Sequence, residues 1–406
     1  MRTARLGLTL DDLDLDWVTG LCRDLAAAAS GSPEGVSVRS FALTELGDAQ
    51  GVLSRYAPST REAIVGHRVL AIRWALRGEE REDRLVLKSK APGAVIRRRL
   101  EDVYRRFDPR LAELQRRLDP SILDDVHTRE LRIYELDRPG LRSITPAIHR
   151  VWRDPSARIF VIVMELLDGV RHERTLDDLD AWQPDDIECA ILQIARMHGE
   201  HLGEISATAP PPYLVPFDRL NDSRLLDYQA ALLAYNAATF PELFDTTRVR
   251  RIESFLTSAA RRHREIAGRP LTLIHGDFTP RNVCLRGGGA PGALRLCAYD
   301  WELAQVHLPE RDVCEFLCYV LNPRTGWKDE ATARLLDRYR AQLEAASGRP
   351  IDAAEFRRDL ALAIQELCTF KLLVQGITHQ LLGNRSYFER LVQNAFDSVE
   401  AFAGAS

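Results

Sequence analysis

Short strand-like runs occupy the first part of the chain and helical stripes occupy most of the rest. Val36 to Leu46, Arg68 to Leu76, Arg84 to Lys88 and Ala157 to Leu167 read as strands of an antiparallel sheet. The last of these is apolar and β-branched apart from Arg158, and it runs into Asp168-Gly169, a short polar connector. Between the strands, Ala94 to Leu118 is a charged amphipathic helical stretch and His127 to Leu136 a second helix. From about Asp185 onward helices dominate. Ile187, Ile191, Ile194 and Ala195 form a stripe that ends in His198 and His201, which read as structural histidines. After the proline-rich break from Pro210 to Pro216, helices are expected over Phe217–Ile266, Leu335–Ala346, Ala353–Gly383 and Ser386–Ala403. The pattern predicts an α+β protein with a helical extension (1–35), a small antiparallel β lobe (36–167, with a helical insert at about 91–126) and a mainly helical lobe (168–406).

One segment breaks the helical pattern. Leu271 to Ile274 is a short apolar run that stops at His275, which suits a buried strand feeding a loop. Val283–Arg286 and Ala293–Tyr299 are two further strand candidates, separated by Gly287, Gly288, Gly289, Pro291 and Gly292. Paired as a hairpin, they bring Asn282 and Asp300 to the same open end. An amide oxygen and a carboxylate there are a sufficient protein contribution to a magnesium site. Asp277 is left free for an incoming hydroxyl. His275-Gly276-Asp277 with an Asn five positions after the Asp is the spacing that places a catalytic base and a metal ligand on one phosphoryl-transfer loop. The alternative is a turn with a helix-capping Asp. Asp312, at the start of a helix over Val313–Leu321, is expected to cap that helix and brace the loop.

Composition sharpens one position. Of 55 basic residues only Lys88, Lys90, Lys328 and Lys371 are lysines. Lys88 ends the run Leu85-Val86-Leu87, where a kinase lobe carries its phosphate-binding lysine. Lys90 is the competing candidate, because residues two apart on a strand share a face. Glu130 is the expected partner of that lysine and Glu135 the alternative. Gly47 and Gly51, in the turn after the first strand, suit a phosphate-covering loop. Backbone groups of Glu165 to Leu167 suit an adenine. With 406 residues, 45% apolar and a formal net charge of −4, the chain demands neither a nucleic-acid nor a membrane partner and is expected in the cytoplasm. Its seven cysteines read as buried free thiols. The arginines of the insert, from Arg97 to Arg117, read as a solvated face or as a docking surface for an acidic partner.

Together these residues resemble the aminoglycoside phosphotransferase and choline kinase-like family, a branch of the protein-kinase-like fold. His275-Gly276-Asp277 through Asn282 matches its catalytic loop and Asp300-Trp301-Glu302 its metal segment. Arg129-Glu130 through Tyr134 and Ala195-Arg196-Met197-His198 look like two of its helices. Arg281 stands where the family often has Gly. The resemblance implies a bilobal fold, ATP and Mg2+ as cofactors, Asp277 as base with His275 as a further catalytic residue of the same loop, Asn282 and Asp300 as metal ligands, and Lys88 with Glu130 on the phosphates. The implied acceptor is an alcohol of a natural-product small molecule, with Asp218, Asp222 and Asp227 available to a cationic one, or Ser/Thr of a precursor peptide. Some members serve as kinase subunits in lanthipeptide-type pathways, with a separate lyase as partner. A catalytically silent scaffold is the competing class. An unpaired Asp277 would also allow slow ATP hydrolysis.

Overall fold

The computed structural model describes residues 7–46, 64–120, 123, 125–172, 176–205, 211, 214, 222–287 and 294–403. The fold is α+β, in two compact units. One comprises residues 1–100, 123–137 and 146–168, the other residues 101–122, 138–145 and 169–406. Residues 101–122, read from the sequence as an insert of the β lobe, group with the helical unit.

The first unit starts with α1 (Leu15–Ser30), capped by the Asp14 side chain and closed by Gly31 in the left-handed region. Strands β1 (Val36–Glu45), β2 (Gly66–Leu76) and β3 (Glu79–Ser89) follow. The helical stretch after them is broken at Asp108, whose side chain caps the second piece, into α2 (Gly93–Phe107), which starts in this unit, and α3 (Pro109–Arg117), which belongs to the second. Here Arg105 pairs with Glu101 and Asp102, and Arg116 and Arg117 pair with Glu113. These arginines are exposed and paired within their own helices. Then come α4 (Val126–Tyr134), α5 (Pro139–Ser143), which belongs to the second unit, β4 (Ile148–Asp154) and β5 (Ile159–Glu165).

The sheet is antiparallel throughout, in the order β1-β2-β3-β5-β4. Alternation assigns its two faces. Leu85 and Leu87 of β3 and Ile159, Val161 and Val163 of β5 pack with Val18, Leu21, Cys22 and Ala26 of α1. Val86, Phe160, Ile162 and Met164 point the other way and pack with Leu131 of α4. Each buried Leu, Ile or Val contributes roughly 1.5–3 kcal/mol, and a one-residue slip would send all of them to the wrong face. The register is therefore held firmly, and with it the face of Lys88.

The second unit is mostly helical: α6 (Pro184–His201), α7 (Ser223–Thr239), α8 (Thr246–Thr257), α9 (Ala259–Ala267), α10 (Glu310–Val320), α11 (Glu330–Ser347), α12 (Ala353–Glu366), α13 (Leu372–Leu382) and α14 (Ser386–Ala401). Aspartates cap α7, α8, α11 and α12. The region 217–266 was expected as helix; its described part is three helices, because Phe240 and Ser258 end two of them. Between α12 and α13 runs a π-helical turn, Leu367–Lys371. Ala353–Leu382 is long and apolar enough to cross a membrane but lies mostly buried within the protein. Every residue of α10 is buried, which makes it the central helix. Beside it lie two small antiparallel pairs, β6 (Thr272–Ile274) with β9 (Gln305–His307), and β7 (Val283–Arg286) with β8 (Arg295–Ala298). The three-residue β9 has one apolar residue, Val306, between Gln305 and His307, so no apolar run marks it in the sequence. Among the described residues all cysteines are free thiols, and all but Cys189 are buried.

Candidate active site

In the first unit the lysine question resolves into a shared contact. Lys88 and Lys90 lie on one face, and both reach Glu130 of α4. Lys88 Nζ donates to Oε1 at 2.7 Å, and Lys90 Nζ donates to Oε2. Glu130 is fully buried and both lysines nearly so. A carboxylate in that setting needs both cations, since an unpaired buried charge is far costlier than a paired one. Glu135, the alternative partner, instead accepts from Arg153 near the surface, at 2.8 Å. Glu165 ends β5, where its backbone N–H and side-chain Oε1 are bonded to Ala147 O and N. Leu167 follows outside the strand. Gly47 and Gly51 lie outside the described residues.

In the second unit the loop after β6 is fixed by buried polar contacts. Asp312 of α10 accepts from His275 N at 2.6 Å through Oδ2 and from Gly276 N at 2.9 Å through Oδ1. Its Oδ2 also faces His198 Nε2 at 3.2 Å, and His198 Nδ1 meets the Tyr339 hydroxyl at 2.9 Å. Asp312 therefore braces the loop as expected. It does not cap α10, which starts two residues earlier. Burial alone would raise the Asp312 carboxyl pKa, but the His198 hydrogen bond and charge reverse this and leave it lowered. Gly276 sits at φ +74°, and a Cβ there would lie 2.2 Å from Leu303 O. Only glycine fits.

His275 corrects a sequence expectation. Its ring is fully buried, with Nε2 donating to Tyr299 O at 3.0 Å and Nδ1 accepting from Asp277 N at 3.3 Å. Burial lowers its pKa, so it stays neutral and ties the loop to the end of β8. It is a strut rather than a group offered to substrate.

Asp277 also differs from expectation, because it is not free. Its Oδ2 accepts from Arg281 Nη2 at 2.9 Å and from Asn282 Nδ2 at 2.7 Å, and its Oδ1 accepts from Lys371 Nζ at 2.8 Å. Burial pushes the carboxyl pKa upward, but Lys371 first and then Arg281 outweigh it and hold the group well below the usual carboxylate range. Lys371 lies 3.6 Å from Glu315 Oε1 as well, and Glu315 is paired with Arg311 at 3.2 Å. The sequence reading missed Lys371 and Glu315. The signal for Lys371 was present in the scarcity of lysine that singled out Lys88.

The hairpin forms as its turn composition predicted. Val283 pairs with Ala298 and Tyr299 N donates to Asn282 O at 3.0 Å, so Asn282 and Asp300 stand together at its open end. Asn282 directs its amide N–H groups to Asp277, which turns its oxygen Oδ1 the other way. Asp300 adopts the left-handed conformation, φ +67° and ψ 53°, at a cost of about 1–2 kcal/mol. An amide oxygen and a carboxylate form a hard-oxygen donor set, which fits a divalent cation of the magnesium type. Asp222, offered for a cationic acceptor, is occupied in capping α7 and pairing with Arg224, Asp227 is exposed, and Asp218 lies outside the described residues.

A sequence model described as the phosphotransferase enzyme family matches residues 73–355. The chain belongs to this family, whose members transfer phosphate to hydroxyl groups using a nucleoside triphosphate and a divalent metal. No curated protein compared with it matches its sequence. Among solved structures it is similar to an ethanolamine kinase of Plasmodium vivax (10% identity, 96% of this chain and 89% of that chain, TM-score 0.45). It is similar also to a choline/ethanolamine kinase family protein of Mesorhizobium loti (13% identity, 95% and 98%, TM-score 0.42). A third likeness is to aminoglycoside 2'-phosphotransferase-IIIa in its GDP complex (14% identity, 95% and 98%, TM-score 0.42).

Proposed function

We propose that the protein is an ATP- and magnesium-dependent O-phosphotransferase that moves the γ-phosphate to an alcohol of a natural-product small molecule. The observation that supports this best is the loop from His275 to Asn282, where one buried carboxylate is aimed, ionised and hydrogen-bonded beside a hard-oxygen pair. Asp277 would accept the hydroxyl proton, and Asn282 and Asp300 would hold the cation. A bound magnesium ion supplies charge neutralisation for the phosphate oxygens. In the first unit, Lys88, with Lys90 beside it, would bind phosphate oxygens while Glu130 orients both ammonium groups. Gly47, Gly51 and backbone groups near Glu165 and Leu167 would contact the nucleotide.

A small-molecule acceptor is favoured over a precursor peptide and lyase partner because the insert arginines that motivated peptide docking are partly neutralised within their own helices. Arg281, Lys371 and Arg311 around Asp277 and Glu315 suit a neutral or anionic alcohol better than a polycation. The test is transfer from γ-labelled ATP, with magnesium, to a panel of small alcohols and to Ser/Thr peptides, with Asp277→Asn as control. Label on a small alcohol, lost in the variant while ATP still raises the melting temperature, is the expected result. Label on peptide alone would select the peptide kinase. ATP-induced stabilisation with no transfer to any acceptor, water included, would select the scaffold.

A further inference from the structure

We infer that Oδ1 of Asp277 is the oxygen that meets the acceptor, and that Lys371, bonded to that same oxygen, is a further catalytic residue of this reaction. The inference rests on the phosphotransferase reading above. A carboxylate oxygen offers two lone-pair directions. Oδ2 has both filled, by Arg281 Nη2 at 2.9 Å and Asn282 Nδ2 at 2.7 Å. Among the described residues Oδ1 accepts from one donor, Lys371 Nζ at 2.8 Å, and so keeps room for a hydroxyl. A hydroxyl bound there lies next to the ammonium group, because both share one acceptor atom.

The lysine is placed for this by an irregularity. It ends the five-residue π-turn Leu367–Lys371, the only π-helix among the described residues. Such turns insert a residue into a helix at an energetic cost and occur often at functional sites. Glu315 Oε1, at 3.6 Å, gives the ammonium a second anchor. The ammonium can therefore turn one donor toward the acceptor oxygen without losing its place. In the step itself the acceptor O–H bond breaks and its proton goes to Asp277 Oδ1. The new O–P bond forms as the bond from the γ-phosphorus to the ADP oxygen breaks. Negative charge between acceptor and phosphoryl oxygens falls beside Lys371, which is where a fixed donor lowers the barrier most.

The experiment uses the full chain with ATP, magnesium and water as acceptor, so no alcohol need be known. Lys371→Ala should lower kcat for phosphate release by about 10²–10³-fold, with KM for ATP within about threefold. Lys371→Arg should retain more activity than Lys371→Ala. Added propylammonium should restore at least about tenfold to Lys371→Ala and nothing to Asp277→Asn. ATP-induced thermal stabilisation checks that each variant is folded. Unchanged kcat, or a loss that neither arginine nor the amine relieves, overturns the role of Lys371 while leaving the phosphotransferase reading intact. Where the parent protein phosphorylates an alcohol but not water, the same comparison is read on that alcohol; no transfer by the parent protein to water or to any alcohol overturns both.

Discussion

Asp312 is the most demanding test of how the catalytic loop is held. It is fully buried, and truncation to Ala leaves His275 N, Gly276 N and His198 Nε2 without their acceptor. A buried orphaned donor costs about 1–3 kcal/mol, and removing one partner from a buried charged cluster costs about 3–5 kcal/mol. We expect Asp312→Ala to lose about 3–5 kcal/mol, a drop in melting temperature on the order of 10 °C. Asp312→Asn keeps the shape but opposes an amide N–H to a backbone donor, so it should stay at least about 2 kcal/mol below the parent. Denaturant melts measure both. The pH dependence has a definite sign, because the folded-state pKa of Asp312 is lowered. Its contribution is present above the unfolded value of about 3.9 and lost as pH falls through the lower folded value. The deficit of Asp312→Ala should therefore be level above about pH 5 and shrink below about pH 4. A deficit under about 1 kcal/mol at pH 7 would refute the bracing argument.

Two further perturbations probe neighbouring parts of the structure. Glu130→Ala leaves Lys88 and Lys90 buried without their shared carboxylate, and should cost about 3–5 kcal/mol and weaken the shift that ATP produces in a thermal melt. Glu135→Gln, which loosens only partly exposed pairs with Arg153 and Arg132, should change stability by less than about 1 kcal/mol. Equal effects of the two would remove the case for Glu130. Gly276→Ala combines left-handed strain of about 1–2 kcal/mol with a backbone overlap at Leu303 O. It should lower both the melting temperature and phosphate transfer, and parent-like activity would show that the loop tolerates a Cβ.

Local chemistry is what the sequence determined. The apolar runs of β3 and β5 must alternate between two faces, so Lys88 had to point opposite Leu87. Turn composition over 287–292 closed the hairpin, and antiparallel pairing then forced Asn282 and Asp300 together. His275, Gly276 and Asp277 declared themselves by spacing alone.

The partners of that loop were decided only by tertiary structure. Lys371 is 94 residues from Asp277, and it arrives through a π-turn that hydrophobic periodicity does not register. Glu315 and Arg311 lie in a helix buried on every side, where charged residues mimic a solvated face in sequence. His275 looked catalytic by its position and proved a strut, since only packing shows that both ring nitrogens already bind backbone. Spacing along a chain fixes which groups share a turn or a strand end. The electrostatic state of a buried carboxylate depends on charges brought from distant segments, and these no local pattern encodes.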